Sequence, residues 1–310
     1  AIALGDYAIS LGQGLITNYG FGYGKSSFAT LIKKGGPVLL PYTSTLENNF
    51  FRGIAATVQL SKRFECTAFA SHRNVDANLG EPDSLIDYDF GFTSLQASGF
   101  HRTQAEIDDK NAIKSTDAGL NLKYNYHNLS ISLNGLYTEF NKVYIPQKRL
   151  DNLFAFSGKS LSNISFDYAY IYRNFYFFGE TARSDNGALA TVNGVLITLD
   201  RRVDLALFHR YLPVDYQSLN PRVFAEGSTG SNENGFYLGA KFYPARGWTI
   251  DAYFDVWKNP WLRFNVASPS VGREYLTKIQ YSIKRKFDIY IQYKNETKAQ
   301  NISDSELLKK

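Results

Sequence analysis

The amino-acid sequence predicts an all-β fold, an antiparallel transmembrane β-barrel with about 13 to 14 visible strands. Three observations predict it. Apolar and polar residues alternate at every second position along most of the chain. Tight turns alternate with long loops, and aromatic residues form 15% of the 310 residues, with 22 Tyr and 23 Phe. Aromatic girdles at both membrane interfaces are typical of such barrels.

One segment shows the alternation clearly. Successive side chains of a strand point to opposite faces of the sheet. One face therefore carries Ala118, Leu120, Leu122, Tyr124 and Tyr126, and the other carries Gly119, Asn121, Lys123 and Asn125. The segment has one apolar face and one polar face.

Composition excludes several other classes. The mean hydropathy is −0.29, and no apolar run reaches about 18 residues, which excludes membrane-spanning helices. The net charge of +5 gives little support for nucleic-acid binding. The single cysteine, Cys66, forms no internal disulfide, and we interpret it as a small apolar side chain. With no Met in the sequence, we expect a processed, exported chain.

Thirteen strands are predicted in order along the chain. Their approximate bounds are 4–18, 50–60, 64–78, 116–126, 129–141, 161–172, 175–184, 188–199, 203–212, 234–243, 248–258, 271–283 and 287–297. The strands 175–184 and 188–199 alternate poorly, and we expect a β-bulge near Asn193 and Gly194.

The connections give the strands a direction. Tight polar turns are predicted at 61–63, 127–128, 173–174, 200–202, 244–247 and 284–286. Long loops are predicted at 19–49, 79–115, 142–160, 213–233 and 259–270, with the short hairpin turn Asp185-Asn186-Gly187 at the same end. Short and long connections thus alternate along the chain, as they do in outer-membrane barrels with short periplasmic turns and long outer loops.

The predicted strand count is odd, whereas bacterial single-chain barrels have even counts. We interpret residues 1–310 as one barrel domain that lacks strands at its N-terminus, with truncation at its C-terminus left open. An overlooked strand near 87–99 is an alternative. A soluble β-sandwich is the rival fold, which the aromatic content and the loop asymmetry disfavour.

Motifs for catalysis or cofactor binding are weak. The stretch Gly20–Ser26 resembles a phosphate-binding loop but has Tyr19 where the first glycine belongs, so we interpret it as a mobile glycine-rich loop. His101 lies in the one dense polar cluster that contains a histidine, with Arg102, Glu106, Asp108 and Asp109. A salt-bridged, capped loop explains this cluster. We expect no catalytic residue, no metal and no cofactor.

Charged residues of both signs fall on the predicted inner face. These candidate lumen-lining residues are Asp117, Lys123, Asp167, Arg173, Glu180, Asp204, Arg210, Lys241, Asp251, Asp255, Lys278, Asp288, Lys294 and Glu296. Mixed signs disfavour a pore selective for one charge, and they leave open a water-filled pore or a network of ion pairs that fills the lumen.

Exposed aromatic residues are predicted on the long loops, where they either bind a partner or pack over the barrel mouth. They are Phe50, Phe51, Tyr88, Phe90, Phe92, Phe154, Phe156, Trp257 and Trp261. Trp261 joins His101, Arg102 and Glu106 as a candidate loop residue.

Several stretches together resemble a family of Bacteroidota outer-membrane proteins. They are Gly5–Tyr7, Gly12–Leu15, Gly24–Ser26, Pro41–Ser44, Glu47–Gly53, Ser98–Thr103, Phe178–Glu180, Ala182–Gly187, Phe224–Gly227 and Pro260–Arg263, within about residues 4–296. The resemblance implies a C-terminal barrel preceded by competence-type helix-hairpin-helix motifs. This sequence lacks that N-terminal part, so the DNA binding attached to it has no support here.

Three functions stay open. The first is a non-enzymatic outer-membrane barrel, a channel or a structural platform, with the lipid bilayer and other envelope proteins as partners. The second is a membrane conduit or anchor for DNA handling through a helix-hairpin-helix domain that this chain lacks; nucleic acid is not expected to bind this chain alone. The third is a loop-based outer-membrane hydrolase near His101.

Overall fold

A computed structural model describes residues 1–19, 24–44, 50–80, 91–96 and 99–301. In these ranges, sixteen strands form one sheet. The strands are β1 (Ile2–Ile9), β2 (Leu39–Pro41), β3 (Phe51–Gln59), β4 (Phe64–Val75), β5 (Ala77–Leu79), β6 (Phe92–Leu95), β7 (Ile113–Tyr126), β8 (Leu129–Tyr144), β9 (Gly158–Tyr172), β10 (Phe175–Ser184), β11 (Leu189–Asp200), β12 (Val203–Leu212), β13 (Glu233–Phe242), β14 (Trp248–Asn259), β15 (Ser270–Ile283) and β16 (Phe287–Thr297).

The sheet is a meander of long antiparallel strands. Thirteen strands of eight or more residues form the wall, in the order β1-β3-β4-β7 and then onward to β16. The short strands β2, β5 and β6 lie at the long-loop end, where α1 (Gln104–Asp108) and a 3-10 turn (Leu150–Asn152) also occur. The predicted β-barrel class, the thirteen strands and the alternation of short and long connections are confirmed.

Two boundaries of the prediction were wrong. The first strand ends at Ile9 rather than at residue 18, because the chain turns into the lumen there. The β-bulge does not lie at Asn193 and Gly194, which pair in register with β10 and β12; the irregularity lies between Thr198 and Asp200.

The two faces of the wall differ in polarity. Outward side chains are large, apolar and exposed, as in Leu238 at 42%, Phe254 at 44% and Ile279 at 36%. Their inward neighbours in the same strands, such as Asp251, Asp255 and Lys278, are buried. A water-soluble protein buries its apolar face, so this arrangement fits a wall whose outer face contacts hydrocarbon.

The two ends of the sheet do not meet. Among the described residues, β16 pairs only with β15, and β1 pairs with β3 and, through its last three residues, with β2. Every residue of β16 except Glu296 is exposed. Among these described residues, the wall therefore has a seam between β16 and β1.

Replacing Leu238 by Arg should destabilise the barrel, because this side chain points outward from the middle of β13. We expect a loss of about 2–4 kcal/mol in the free energy of unfolding, the cost of a cation near the bilayer midplane. Unfolding by urea from lipid vesicles measures it.

Val271→Arg is the control for that change. Val271 is outward and 61% exposed, but it lies at the long-loop end of β15, where the cost falls to about 0–1 kcal/mol. Equal losses at both positions would contradict a hydrocarbon-facing belt.

Candidate functional site: a lumen filled by the chain itself

The lumen is filled by the segment that follows β1. We call residues 10–38 the plug segment; all but residues 20–23 are described. Five of its apolar side chains pack against inward residues of the wall and are almost fully buried: Leu11, Leu15, Ile16, Ala29 and Ile32. Two others, Phe28 and Leu31, are exposed. The plug segment is thus part of the main hydrophobic core.

A buried carboxylate of β10 holds the first turn of the plug segment. Glu180 is 1% exposed, and its Oε2 accepts hydrogen bonds from the backbone N–H groups of Gln13 at 2.6 Å and Leu15 at 3.1 Å. One side-chain oxygen of the wall thus satisfies two backbone N–H groups and fixes the position of this turn.

Two glycines let that turn sit so close to its neighbours. Gly12 has φ +51°, and a Cβ there would lie 2.5 Å from Cδ of Glu180. Gly14 has φ +89°, and a Cβ there would lie 2.6 Å from the carbonyl oxygen of Arg222. Both the backbone conformation and the close approach require glycine.

The middle of the plug segment is fixed to β13 and β14. The N–H of Ala29 donates to Asp251 Oδ1 at 3.1 Å, and the Tyr237 hydroxyl donates to the Ala29 carbonyl at 2.8 Å. Gly239 leaves the space for this contact, because a Cβ on it would overlap the same carbonyl oxygen. Both backbone polar groups of Ala29 are therefore satisfied by the wall.

Among the described residues of the plug segment, Lys25 carries the charge that lies within a cluster of carboxylates, two from the wall and one from the connection between β12 and β13. Its Nζ lies 2.8 Å from Glu226, 3.0 Å from Asp255 and 3.0 Å from Glu274. It also lies 4.1 Å from the ring centroid of Trp257. The side chain of Lys25 is 7% exposed, so it is a buried cation paired with three carboxylates.

Arg210 of β12 completes this charge cluster. Its guanidinium donates two hydrogen bonds of 2.9 Å to Asp255 and a third, through Nε, to Glu233. Arg210 is fully buried. A bidentate arginine–carboxylate pair has fixed geometry, so Asp255 is held in place to receive Lys25.

A second loop covers the plug segment. We call residues 213–232, between β12 and β13, the capping loop. The Tyr216 hydroxyl donates to the Leu15 carbonyl at 3.1 Å, Ser218 Oγ donates to the Ile16 carbonyl at 2.8 Å, and the Arg222 N–H donates to the Gly14 carbonyl at 2.8 Å. The plug segment is thereby bound from the wall and from the loop end.

The surroundings of Lys25 favour its charged form. Burial alone would lower the pKa of this amine, but the adjacent Asp255, Glu226 and Glu274 outweigh burial and raise the pKa above its ordinary value of 10.5. The ion pairs are therefore intact at neutral pH.

A metal ion is not needed to neutralise these carboxylates. Oxygens of Glu226, Glu274 and Glu296 lie within 4.8 Å of one another, a spacing that could hold a cation. Lys25 already contacts the first two, and Lys298 lies 2.6 Å from Glu296 and 3.5 Å from Glu226. Lysine side chains occupy the place of the ion.

The predicted polar loop lines a cavity on the inner side of β4 and β7. His101 Nε2 lies 2.8 Å from Asp76 Oδ2, and both line a cavity of about 470 Å³ with Arg73 and Asp117. Glu106 does not face His101, since it forms a capping box with Thr103 at the start of α1.

Other loop residues are placed as follows. Arg102 pairs with Glu106 at 3.5 Å on the surface, and Trp261 donates from Nε1 to the Leu150 carbonyl at 2.8 Å. The prediction of an exposed loop position was wrong for Trp257, Phe92 and Phe51, which are buried at 1%, 0% and 8% exposure. Tyr88 and Phe90 lie outside the described residues.

The structure brings most predicted lumen residues to the inner face. Six are buried there: Asp117, Glu180, Arg210, Asp251, Asp255 and Lys278. A second group occupies inner-face positions with partial burial: Lys123, Asp167, Asp204, Lys241 and Glu296. Asp288 and Lys294 are on the inner face of β16 but exposed, because the seam leaves them uncovered. Arg173 was assigned wrongly: it lies exposed in the β9–β10 turn with φ 54°.

The plug segment, and with it Lys25, was not predicted from the sequence. The prediction of a mobile glycine-rich loop was wrong for Lys25, at the end of that stretch, which is a buried ion-pair partner. Gly20–Tyr23 lie outside the described residues. One available signal was the length of the β1–β3 connection combined with its apolar residues, Leu11, Leu15, Ile16 and Ile32. An exposed loop of that composition would be unusual.

An antiparallel wall with a hydrocarbon-facing belt, a polar interior, short turns at one end and long loops at the other defines an outer-membrane β-barrel. The chain lies in the outer membrane, with lipid around its wall. Among the described residues, no helix is long and apolar enough to cross a membrane.

Comparisons with known proteins find similarity to solved structures and no family. No protein-family model and no curated protein matches the sequence. Among solved structures, OccAB2 of Acinetobacter baumannii is similar at 9% identity with a TM-score of 0.40, covering 81% of this chain and 62% of its own. OmpT of Vibrio cholerae, an outer membrane protein solved without loop L8, is similar at 10% identity with a TM-score of 0.27, covering 82% and 60%. The chain thus spans about three fifths of the length of both.

Arg210→Ala should strongly destabilise the barrel, because it leaves Asp255 and Glu233 buried with one cation fewer. Breaking a buried pair in this way costs about 3–5 kcal/mol. Arg52→Ala is the matched control: Arg52 also pairs with an aspartate, Asp6, but is 57% exposed, and such pairs contribute about 0–1 kcal/mol. Urea unfolding measures both, and similar losses would contradict a buried network.

Alkaline pH should release the plug segment. Because the folded pKa of Lys25 is raised, its ion pairs stabilise fully below 10.5 and are lost as the pH rises through the folded value. Limited proteolysis followed by mass spectrometry should show cleavage within residues 24–38 only at the alkaline pH at which Lys25 loses its proton. Lys25→Arg keeps its charge at that pH and should shift the transition upward. The same transition in both proteins would exclude Lys25 as its cause.

Proposed function

We propose that the chain acts as a self-plugged outer-membrane platform, closed to solute flow, rather than as an open channel. The observation that carries this proposal is the anchoring of the plug segment at three places: Glu180 of β10, the pair Tyr237 and Asp251 of β13 and β14, and the carboxylates around Lys25. A mobile gate would not satisfy its backbone groups on so many strands of the wall.

The interior supports a structural role in a second way. The charge cluster joins five carboxylates, from Glu226, Glu233, Asp255, Glu274 and Glu296, to four cations, from Lys25, Arg210, Lys294 and Lys298. Charges of both signs therefore pair with one another here; Lys25 and Arg210 are buried, whereas Lys294 and Lys298 are exposed. A pore selective for one ion sign would concentrate one charge along its path.

The partners of a platform would bind at its exposed long-loop end. The loops there are ordered by their own contacts: Trp261 packs edge-on against Phe154 at 5.4 Å between ring centroids, and Arg149 pairs with Asp151 at 2.9 Å. Other envelope proteins are therefore the partner class that we propose, with the lipid bilayer as the support.

Single-channel recording in planar bilayers tests this proposal. The natural protein should give no conductance steps. Ile9 and Leu39 are direct strand partners, so residues 10–38 can be replaced by an Asn-Gly turn that leaves the wall intact. That variant, alone or combined with the same replacement of residues 213–232 between the paired Leu212 and Glu233, should conduct.

The control removes a loop that does not enter the lumen. Tyr144 and Gly158 are also direct partners, so residues 145–157 can be replaced by the same turn, and this variant should remain silent. Gly239→Leu adds a test without deletion, because its side chain would displace Ala29 and should produce openings. Steady conductance by the natural protein would overturn the platform and support a channel.

A further inference from the structure

The cavity next to His101 lies in the long-loop mouth of the barrel, and we call it the mouth cavity. The wall residues that line it come from the end of β4 and the beginning of β7, among them Arg73, Val75, Ser115 and Asp117. Its volume of about 470 Å³ lies within the range of about 300–1,000 Å³ that is typical of small-molecule sites.

The plug segment borders Arg73 on another side. Arg73 and Asn220 line both the mouth cavity and a void of about 20 Å³, and this void is also lined by Thr17 and Tyr19 of the plug segment. The void has room for one water molecule. A ligand larger than water therefore has space in the mouth cavity and not between Arg73 and the plug segment.

Two acidic side chains of the mouth cavity already accept hydrogen bonds from their neighbours. The Oδ1 and Oδ2 atoms of Asp6 accept from the Arg52 guanidinium at 2.7 and 3.0 Å. Asp117 accepts from the hydroxyl groups of Thr138 at 2.7 Å and Ser115 at 3.3 Å. Both carboxylates are thus occupied by partners within the chain.

The third acidic residue of the lining, Asp76, is held in the same way. Its Oδ1 accepts from the backbone N–H of Asn111 at 2.8 Å, and its Oδ2 lies 2.8 Å from His101 Nε2. Among the residues that the structure describes, the acidic groups of the mouth cavity therefore have partners without a ligand.

Arg73 lacks such a partner. Its Nε is buried without a hydrogen-bond partner, and its guanidinium forms no hydrogen bond or ion pair with the described residues. Its Cζ lies 5.2 Å from the centroid of the Phe50 ring, so the group rests against an aromatic side chain. A guanidinium carries five N–H donors and no acceptor. The group that this position lacks is therefore a hydrogen-bond acceptor, best one with negative charge.

The rest of the lining indicates what kind of anion fits. Phe50, Phe51 and Phe140 line the mouth cavity together with Arg73, and Phe51 and Phe140 are buried. Aromatic side chains of this kind favour a ligand with an apolar, planar body. The carboxylates nearby disfavour an anion of higher charge, because like charges repel one another strongly where water is scarce.

We infer that the mouth cavity binds a small organic carboxylate, whose anionic group pairs with Arg73 and whose apolar body packs against Phe50, Phe51 and Phe140. The planar fork of a guanidinium matches the two oxygens of a carboxylate, so the pair fixes the orientation of the ligand as well as its charge. This inference does not depend on whether the lumen is closed, since the ligand binds at the mouth and does not cross the barrel.

Isothermal titration calorimetry of the natural chain in detergent tests the inference, with benzoate as the probe at neutral pH. Benzoate should bind saturably. Benzamide has the same shape without the charge and should bind about tenfold or more weakly. Acetate, which lacks the ring, and inorganic phosphate should both bind more weakly than benzoate.

Variants then assign the binding to Arg73. Arg73→Gln should weaken benzoate binding by about 10- to 100-fold, the effect of losing hydrogen bonds to a charged group. Arg73→Lys keeps the charge but loses the fork, so its affinity should fall between those of the natural chain and Arg73→Gln. The control is Arg63→Gln: Arg63 also lies against an aromatic ring, that of Tyr126 at 4.6 Å, but in the tight turn between β3 and β4. That change should leave benzoate binding unaltered.

Three results would overturn the inference. Saturable binding of none of the four probes would leave water as the partner of Arg73. Benzamide or phosphate binding as tightly as benzoate would exclude a carboxylate as the preferred ligand. Equal losses in the Arg73 and Arg63 variants would place the benzoate elsewhere. Circular dichroism of each variant shows whether it is folded, and the comparison of the four probes on the natural chain needs no variant.

Discussion

Compensation of buried charge determines the interior of this barrel. The wall carries carboxylates at Glu180, Asp251, Asp255 and Glu274, each 3% exposed or less. An uncompensated charge in such a place is strongly unfavourable. Strand neighbours supply part of the compensation, chiefly Arg210. The plug segment supplies the rest, as backbone N–H groups for Glu180 and Asp251 and as an ammonium group for Asp255 and Glu274. Wall and plug segment are therefore interdependent, because each provides partners for polar groups of the other.

Small residues make that interdependence geometrically possible. Gly12 and Gly14 on the plug segment, and Gly239 on β13, each approach a partner too closely for a Cβ. The hydrogen bonds between plug segment and wall are short because these positions carry no side chain. A barrel that holds water instead would have no reason for such close approach between its wall and an inserted segment.

The wall could be predicted from sequence because its information is local. Each strand carries its own period-two pattern, as at Ile250–Trp257, and each turn carries its own polar residues. The contacts of the plug segment could not be predicted, because its partners are more than a hundred residues away: Gln13 contacts Glu180 and Ala29 contacts Asp251. An irregular segment whose backbone N–H groups bond to side chains of distant strands carries no periodic sequence pattern. The prediction that Arg173 lines the lumen was wrong for a related reason. The alternation of residue types continues into the turn, whereas the strand itself ends before Arg173.

The indole of Trp257 gives the molecule a built-in optical reporter. It is 1% exposed, and the ammonium group of Lys25 sits over its ring. The chain has three tryptophans; Trp248 lies at the short-turn end of β14 and Trp261 in an outer loop. Only Trp257 has the plug segment as its immediate neighbour through Lys25, so its emission colour and intensity carry information about whether the lumen is occupied, without any attached dye.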